Sequence, residues 1–123
     1  MKYALLLYAA PDAGPHDRDP ADDRVFPDWV AYTQAMKDAG VVLGAERLRP
    51  AGTATTVRWQ GDGPLLTDGP FIETKEHLLG FYLLDVPDLD TALDWAARMP
   101  LMRFGTVEVR PVTEGGRWRE VLG

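Results

Sequence analysis

The densest run of groups able to do chemistry is Thr67-Asp68-Gly69-Pro70-Phe71-Ile72-Glu73-Thr74-Lys75-Glu76. An aspartate before Gly-Pro sits where the backbone turns sharply, and two readings of Asp68 follow. Its carboxylate can accept backbone N–H bonds in an Asx-type turn. Alternatively, it ends a strand and faces a cavity walled by Phe71 and an apolar sheet, where desolvation raises a carboxyl's pKa toward acid–base use. Glu73 then supplies the second carboxylate of a paired site; spacing by itself does not bring the two together. Glu46, Arg58, Glu108 and Arg110 fall on strand-like segments among apolar neighbours, so each needs a partner wherever it is buried. Arg58 or Arg110 could clamp a substrate carboxylate or phenolate with two parallel bonds. A cross-strand pair such as Glu108 with Arg58 on a sheet face accounts for them equally well. His16 lies in a Pro- and Asp-rich loop and His77 opens an apolar run beside Glu76; neither receives a role from sequence.

Other chemistries are excluded by absence. The chain has no cysteine, which removes zinc–thiolate sites, cysteine nucleophiles and redox dithiols. There is no HExxH, GxSxG, P-loop or helix-opening GxGxxG. The acidic stretch Asp12, Asp17, Asp19, Asp22, Asp23 and Asp28 does not have the spacing of an EF-hand. The 123 residues are 46% hydrophobic and 26% charged, which bounds the chain to one soluble globular domain. Thirteen basic against nineteen acidic residues leave a net charge of −6, a poor match to nucleic acid or an anionic membrane. The N-terminal apolar run, about seven residues before Pro11 and Asp12, is too short for a signal or membrane span, so a cytoplasmic location is expected.

The elements that must position these groups can be read from periodicity. Lys2–Tyr8 is apolar at nearly every position, as in a strand covered on both faces. A loop follows, and Ala21–Val25 is expected to add a short helical turn. From Phe26 to Ala39 the positions Phe26, Trp29, Val30, Thr33 and Met36 follow helical spacing, with Pro27 and Asp28 suiting the first turn and Gly40 the stop. Val41–Leu48 and Thr53–Gln60 read as strands, Leu65–Thr67 as a short extended piece, and Leu78–Val86 as a strand apolar nearly throughout. Asp88 is the expected N-cap of a second helix lined by Leu89, Ala92, Leu93, Ala96 and Met99 and ended by Pro100. Thr106–Val112 alternates as a last strand, and the tail around Trp118 shows no period.

This is a β-α-β-β-α-β order, a ferredoxin-like split βαβ with two helices on one face of an antiparallel sheet. Two helices shelter one face only. Yet Leu79, Phe81 and Leu83 alternate with Leu78, Tyr82 and Leu84, so both faces of that strand are apolar. Burying each such side chain is worth about 1.5–3 kcal/mol. A second copy of the sheet, in a twofold dimer, is the economical cover.

Asp68-Gly69-Pro70-Phe71, continuing to Glu76, resembles the signature of the DGPF branch of the YCII-related proteins. Gly44–Pro50, Ala54–Arg58, Asp85–Asp90, Trp95–Arg98 and Val107–Pro111 match that family in order. The resemblance implies a dimeric α+β barrel over residues 1–112, with 113–123 as a C-terminal tail. The wider family includes a dehydrochlorinase of a chlorinated hydroxyquinol, and a His–Asp pair has been proposed for related proteins. For this chain the expectation is a cofactor-free homodimeric enzyme performing elimination or isomerisation on a small cyclic or aromatic molecule. Asp68 and Glu73 would be catalytic, and Glu46, Arg58, Phe71 and Arg110 would bind substrate. The alternative is a non-catalytic ligand-binding or regulatory accessory protein of the sigma-factor-associated type.

Overall fold

The structure is a computed structural model and describes residues 1–11, 26–103 and 105–122. His16, the acidic positions from Asp12 to Asp23 and the turn expected over Ala21–Val25 lie outside the described residues. In chain order the elements are β1 (Lys2–Ala9), α1 (Phe26–Asp38), β2 (Val42–Arg47), β3 (Thr55–Gln60), β4 (Gly63–Asp68), β5 (His77–Asp85), α2 (Leu89–Ala97), β6 (Gly105–Pro111) and α3 (Gly116–Leu122). Short 3₁₀ turns occupy Ala51–Thr53 and Pro100–Arg103.

The two most apolar strands take the centre. β1 pairs antiparallel with β5 and β6, and β2 adds to the far edge of β5, giving the order β2-β5-β1-β6. That is the ferredoxin-like sheet, and its β-α-β-β-α-β order is β1, α1, β2, β5, α2, β6. The segment Thr55–Gln60 is a strand, but it leaves the sheet: β3 pairs with β4 in a separate hairpin inserted between β2 and β5. A two-residue turn at Gly61-Asp62 closes it, with Gly61 at φ +61° supplying the left-handed first position such a turn requires. No helix among the described residues is long and apolar enough to cross a membrane.

Both helices pack on the face of the sheet that carries Tyr3, Leu5, Leu7, Tyr82 and Leu84, all buried. The helix stripes agree in part with those read off sequence: Met36, Ala92, Ala96 and Met99 are buried as expected, and Trp29 packs against the core. On α1 the buried residues are Tyr32 and Met36, with Val30 exposed; on α2 they are Ala92, Trp95 and Ala96, with Leu89 and Leu93 exposed. Each helical residue advances about 100°, so Tyr32 and Trp95 lie beside Met36, Ala92 and Ala96 on the buried side. Trp29, Tyr32, Tyr82 and Trp95 form a chain of stacked and edge-on rings between sheet and helices. Tyr32 donates its hydroxyl to the Trp95 carbonyl at 2.7 Å, and Thr33 and Tyr82 share a hydroxyl bond at 2.9 Å.

The helix ends follow sequence closely. Gly40, at φ +71°, donates to the Lys37 carbonyl while Val41 donates to that of Met36, the paired bonds of a Schellman stop. Asp88 caps α2 by accepting from the Thr91 backbone N–H at 2.8 Å. The tail is not featureless: Gly116–Leu122 forms a short exposed helix.

The other sheet face is set by register. Ala4 opposes Leu83 and Arg110; Leu6 opposes Phe81 and Glu108; Glu46 opposes Phe81 from β2. Directly paired residues share a face. The outer face is therefore a half-buried apolar stripe of Ala4, Leu6, Tyr8, Phe81 and Leu83 between a Glu46 edge and a Glu108/Arg110 edge.

Candidate functional site

At the end of the sheet where β2 leaves and β5 begins, a cavity of about 550 Å³ opens. Between sheet and helices the described residues pack as the aromatic core. The walls come from three separated stretches. Tyr8 ends the outer stripe of β1; Leu48, Arg49, Pro50, Ala51, Thr53 and Ala54 come from the chain leaving β2; Pro70, Ile72, Thr74, Glu76, His77 and Leu78 come from the loop entering β5. Most of these walls are apolar, and the polar groups Tyr8, Arg49, Glu76 and His77 stand among them. This is the usual make-up of a small-molecule site: apolar surface for the body of a ligand and a few polar groups to orient it.

Local bonds explain why the chain turns here. Leu48 donates its N–H to the Leu79 carbonyl at 2.7 Å, extending the β2–β5 ladder to the cavity wall. Gly69 takes φ +97°, a conformation that side-chained residues rarely adopt. Its N–H donates to Ala54 O at 2.7 Å, and its carbonyl accepts from the Thr56 hydroxyl at 2.7 Å. These two bonds close the root of the hairpin and send Pro70 and Ile72 into the cavity wall. Further along, the Thr74 hydroxyl donates to the Glu76 carbonyl, and Thr106 donates to Glu76 Oε1 at 3.3 Å.

The residues singled out from sequence are not brought together. Asp68 ends β4 opposite Thr55, is exposed, and does not line the cavity. Glu73 is also exposed and outside the lining, although its neighbours Ile72 and Thr74 are part of it. Phe71 is exposed, and the Arg58 guanidinium lies over its ring, 5.1 Å from the centroid. Glu46 and Arg110 stand on opposite edges of the outer face. The expected Glu108–Arg58 pair is absent because Arg58 is on the hairpin; Glu108 instead lies 3.9 Å from Arg110. What sequence passed over is His77 with Glu76, Arg49 and Tyr8. The one available signal was a histidine beside a glutamate at the mouth of an apolar strand.

Burial acts on titration in the core. It pushes the Tyr32 phenol well up, helped by neighbouring Tyr82 and opposed by Arg98. Burial also raises Tyr82, partly offset by its Thr33 bond.

Comparison with known proteins places this geometry. The YCII-related domain matches residues 1–118. The uncharacterized protein R00369 of Rhizobium meliloti (strain 1021) is 39% identical over 114 residues, covering 91% of this chain and 92% of that protein. Among solved structures, 5-chloro-2-hydroxyhydroquinone dehydrochlorinase (TftG) from Burkholderia phenoliruptrix AC1100, in complex with 2,5-dihydroxybenzoquinone, superposes with a TM-score of 0.54. It is 11% identical, with 94% of this chain and 96% of that one covered, a likeness of fold.

Proposed function

Because the chain belongs to the YCII-related family, we propose that it is a homodimeric, cofactor-independent enzyme acting on a small cyclic or aromatic molecule by acid–base elimination or isomerisation. The observation that carries this reading is the cavity of about 550 Å³, whose apolar walls are interrupted by His77, Glu76, Arg49 and Tyr8. A planar ring suits walls of Leu48, Pro50, Pro70, Ile72 and Leu78. Arg49 is the cation available to an oxyanion or phenolate. His77 takes a proton from the substrate, with Glu76 beside it in the chain, since an imidazole can accept and return a proton near neutral pH. In an elimination, the carbon losing that proton expels a leaving group on its neighbour with the bonding pair. In an isomerisation, the proton returns to a different carbon. Asp68 acts in this scheme through the Asp-Gly-Pro turn that carries Pro70 and Ile72 into the wall.

The second copy belongs to the same proposal. The outer stripe of Ala4, Leu6, Phe81 and Leu83 has an apolar centre and a charged rim, the layout of an association surface.

The test begins with ligand. The quinone held by the dehydrochlorinase, 2,5-dihydroxybenzoquinone, and hydroxylated quinols are titrated by calorimetry and thermal shift, since a ligand of the native state raises its melting temperature. Turnover of chlorinated and unsubstituted quinols is then followed in wild type, His77→Gln and Asp68→Asn. The expected result is saturable binding in all three, with His77→Gln losing about 10²–10⁴-fold in rate and Asp68→Asn losing chiefly stability. Loss of turnover in Asp68→Asn alone would move the proton transfer to that carboxylate. Binding without turnover of any quinol would make the protein a ligand-binding module.

A further inference from the structure

We infer that the cavity takes a fused two-ring molecule with one negative charge, held by Arg49 at a pair of oxygens such as a carboxylate or an ionised hydroxyketone. This rests on the small-molecule reading above and narrows that site's ligand. The cavity of about 550 Å³ is larger than one ring needs. A one-ring dihydroxyquinone has ten non-hydrogen atoms and, even at the ~30 Å³ that each water takes in the liquid, fills no more than about 300 Å³. The remaining space would stay wet against apolar walls. Leu48, Ile72 and Leu78 line it and are exposed in the single chain, so a ligand that reaches them gains by covering them. A second fused ring adds four carbons, which on the same scale brings the occupied volume to roughly 400 Å³ and still fits.

The polar lining sets the ligand's charge. Arg49 makes no ion pair or hydrogen bond among the described residues, so its guanidinium is open to a ligand. That planar fork matches two oxygens lying in one plane. Glu76 is the lining carboxylate, and its bond from the Thr106 hydroxyl at 3.3 Å is neutral and leaves its charge in place. His77 must be uncharged to take a proton, so in that role it adds no second cation. The chain as a whole carries a net charge of −6. One fixed cation and one fixed anion in a negative field admit a single negative charge on the ligand and repel a second. The Tyr8 hydroxyl, also without a hydrogen-bond partner among the described residues, is left to donate to a neutral oxygen on the ring.

The probes are benzoate, 2-naphthoate, its uncharged isostere 2-naphthamide and naphthalene-2,6-dicarboxylate, titrated by calorimetry at neutral pH against wild type and Arg49→Gln. Arg49 is exposed, so the substitution should leave the fold intact. The second ring covers roughly 60 Å² more of the wall, and 2-naphthoate should bind about tenfold tighter than benzoate. It should also bind about tenfold tighter than 2-naphthamide, the difference made by a charged acceptor. The second carboxylate of the dicarboxylate should weaken binding about threefold relative to 2-naphthoate. In Arg49→Gln the naphthoate and naphthamide affinities should converge while the preference for two rings over one remains. Equal binding of benzoate and 2-naphthoate, a dicarboxylate that binds as tightly as 2-naphthoate, or a charge preference that survives Arg49→Gln overturns the inference. If quinols are turned over while 2-naphthoate fails to bind, the inference falls and the enzyme reading stands. If no ring compound binds and no quinol is turned over, both fall together.

Discussion

Gly80→Ala tests the link between sheet packing and the candidate site. Gly80 is buried in β5, opposite Arg47 on one side and Leu7 on the other. A Cβ built there would meet Glu46 O at 2.4 Å and the Arg47 Cα at 3.2 Å. Ordinary carbon–oxygen approach is about 3.3–3.6 Å, so β2 must back away by about 1 Å. Both obstructing atoms are backbone, and no rotamer change relieves them. Overpacking costs about 1–3 kcal/mol, and the rigid obstruction argues for the upper half, roughly 2–3 kcal/mol. A chain of this length shifts its melting temperature by about 4 °C per kcal/mol, so the fall should be roughly 8–12 °C. The displacement also travels along β2 into Leu48, Arg49 and Pro50 of the cavity wall, so ligand affinity should fall with stability. The assay is a pair of thermal melts and titrations at one protein concentration, with Gly52→Ala as control. A Cβ at Gly52 meets nothing within 4 Å, and its effect should stay within about 0.5 kcal/mol. If Gly80→Ala melts with wild type and binds equally well, β2 does not press on Gly80 and the cavity wall is not braced through it.

Tyr32→Phe removes the hydroxyl that donates to Trp95 O. Because that carbonyl also accepts from the Arg98 N–H at 3.2 Å, it is not orphaned, and the loss should be about 1 kcal/mol by urea denaturation. The same phenol gives an alkaline signature. The folded chain holds Tyr32 and Tyr82 protonated above the ordinary value of 10.0, where the unfolded chain releases those protons. Stability is therefore full below about pH 10 and falls as pH rises through the folded values; Tyr32→Phe should flatten that fall in melts across this range. Asp88 works in the opposite direction. The Thr91 hydroxyl and backbone N–H hold its carboxyl below 3.8, so the cap survives above that value and is lost as pH falls through the folded one. Asp88→Ala should lower the melting temperature at neutral pH and remove this acid limb, while Asp88→Asn should keep the cap.

Much of the fold was legible because its determinants are local. A helix stop needs a left-handed residue, and Gly40 was visible as one; a cap needs a short acceptor before the first turn, and Asp88 was visible too. The unbroken apolar runs of β1 and β5 marked the sheet centre and its surplus outer face. Of the helix stripes read from sequence, Met36, Ala92, Ala96 and Met99 are buried, while Val30, Leu89 and Leu93 are exposed and Tyr32 and Trp95 are buried beside the stripe.

By itself, the sequence determined the sheet strands and two packing helices, their order, the family and the apolar character of both sheet faces, since each depends on neighbours a few residues apart, while the tail helix Gly116–Leu122 carried no period to read. Only the tertiary structure decided the partner of β3 and the place of the cavity. Thr55–Gln60 is as strand-like as any segment, and nothing local says whether it joins the sheet or folds onto Gly63–Asp68. The cavity joins Tyr8 to lining residues between Leu48 and Ala54 and between Pro70 and Leu78, with Asp68 and Glu73 outside its lining. Adjacency in the chain sets local conformation; which side chains face one space is settled by strand register and loop closure over many tens of residues.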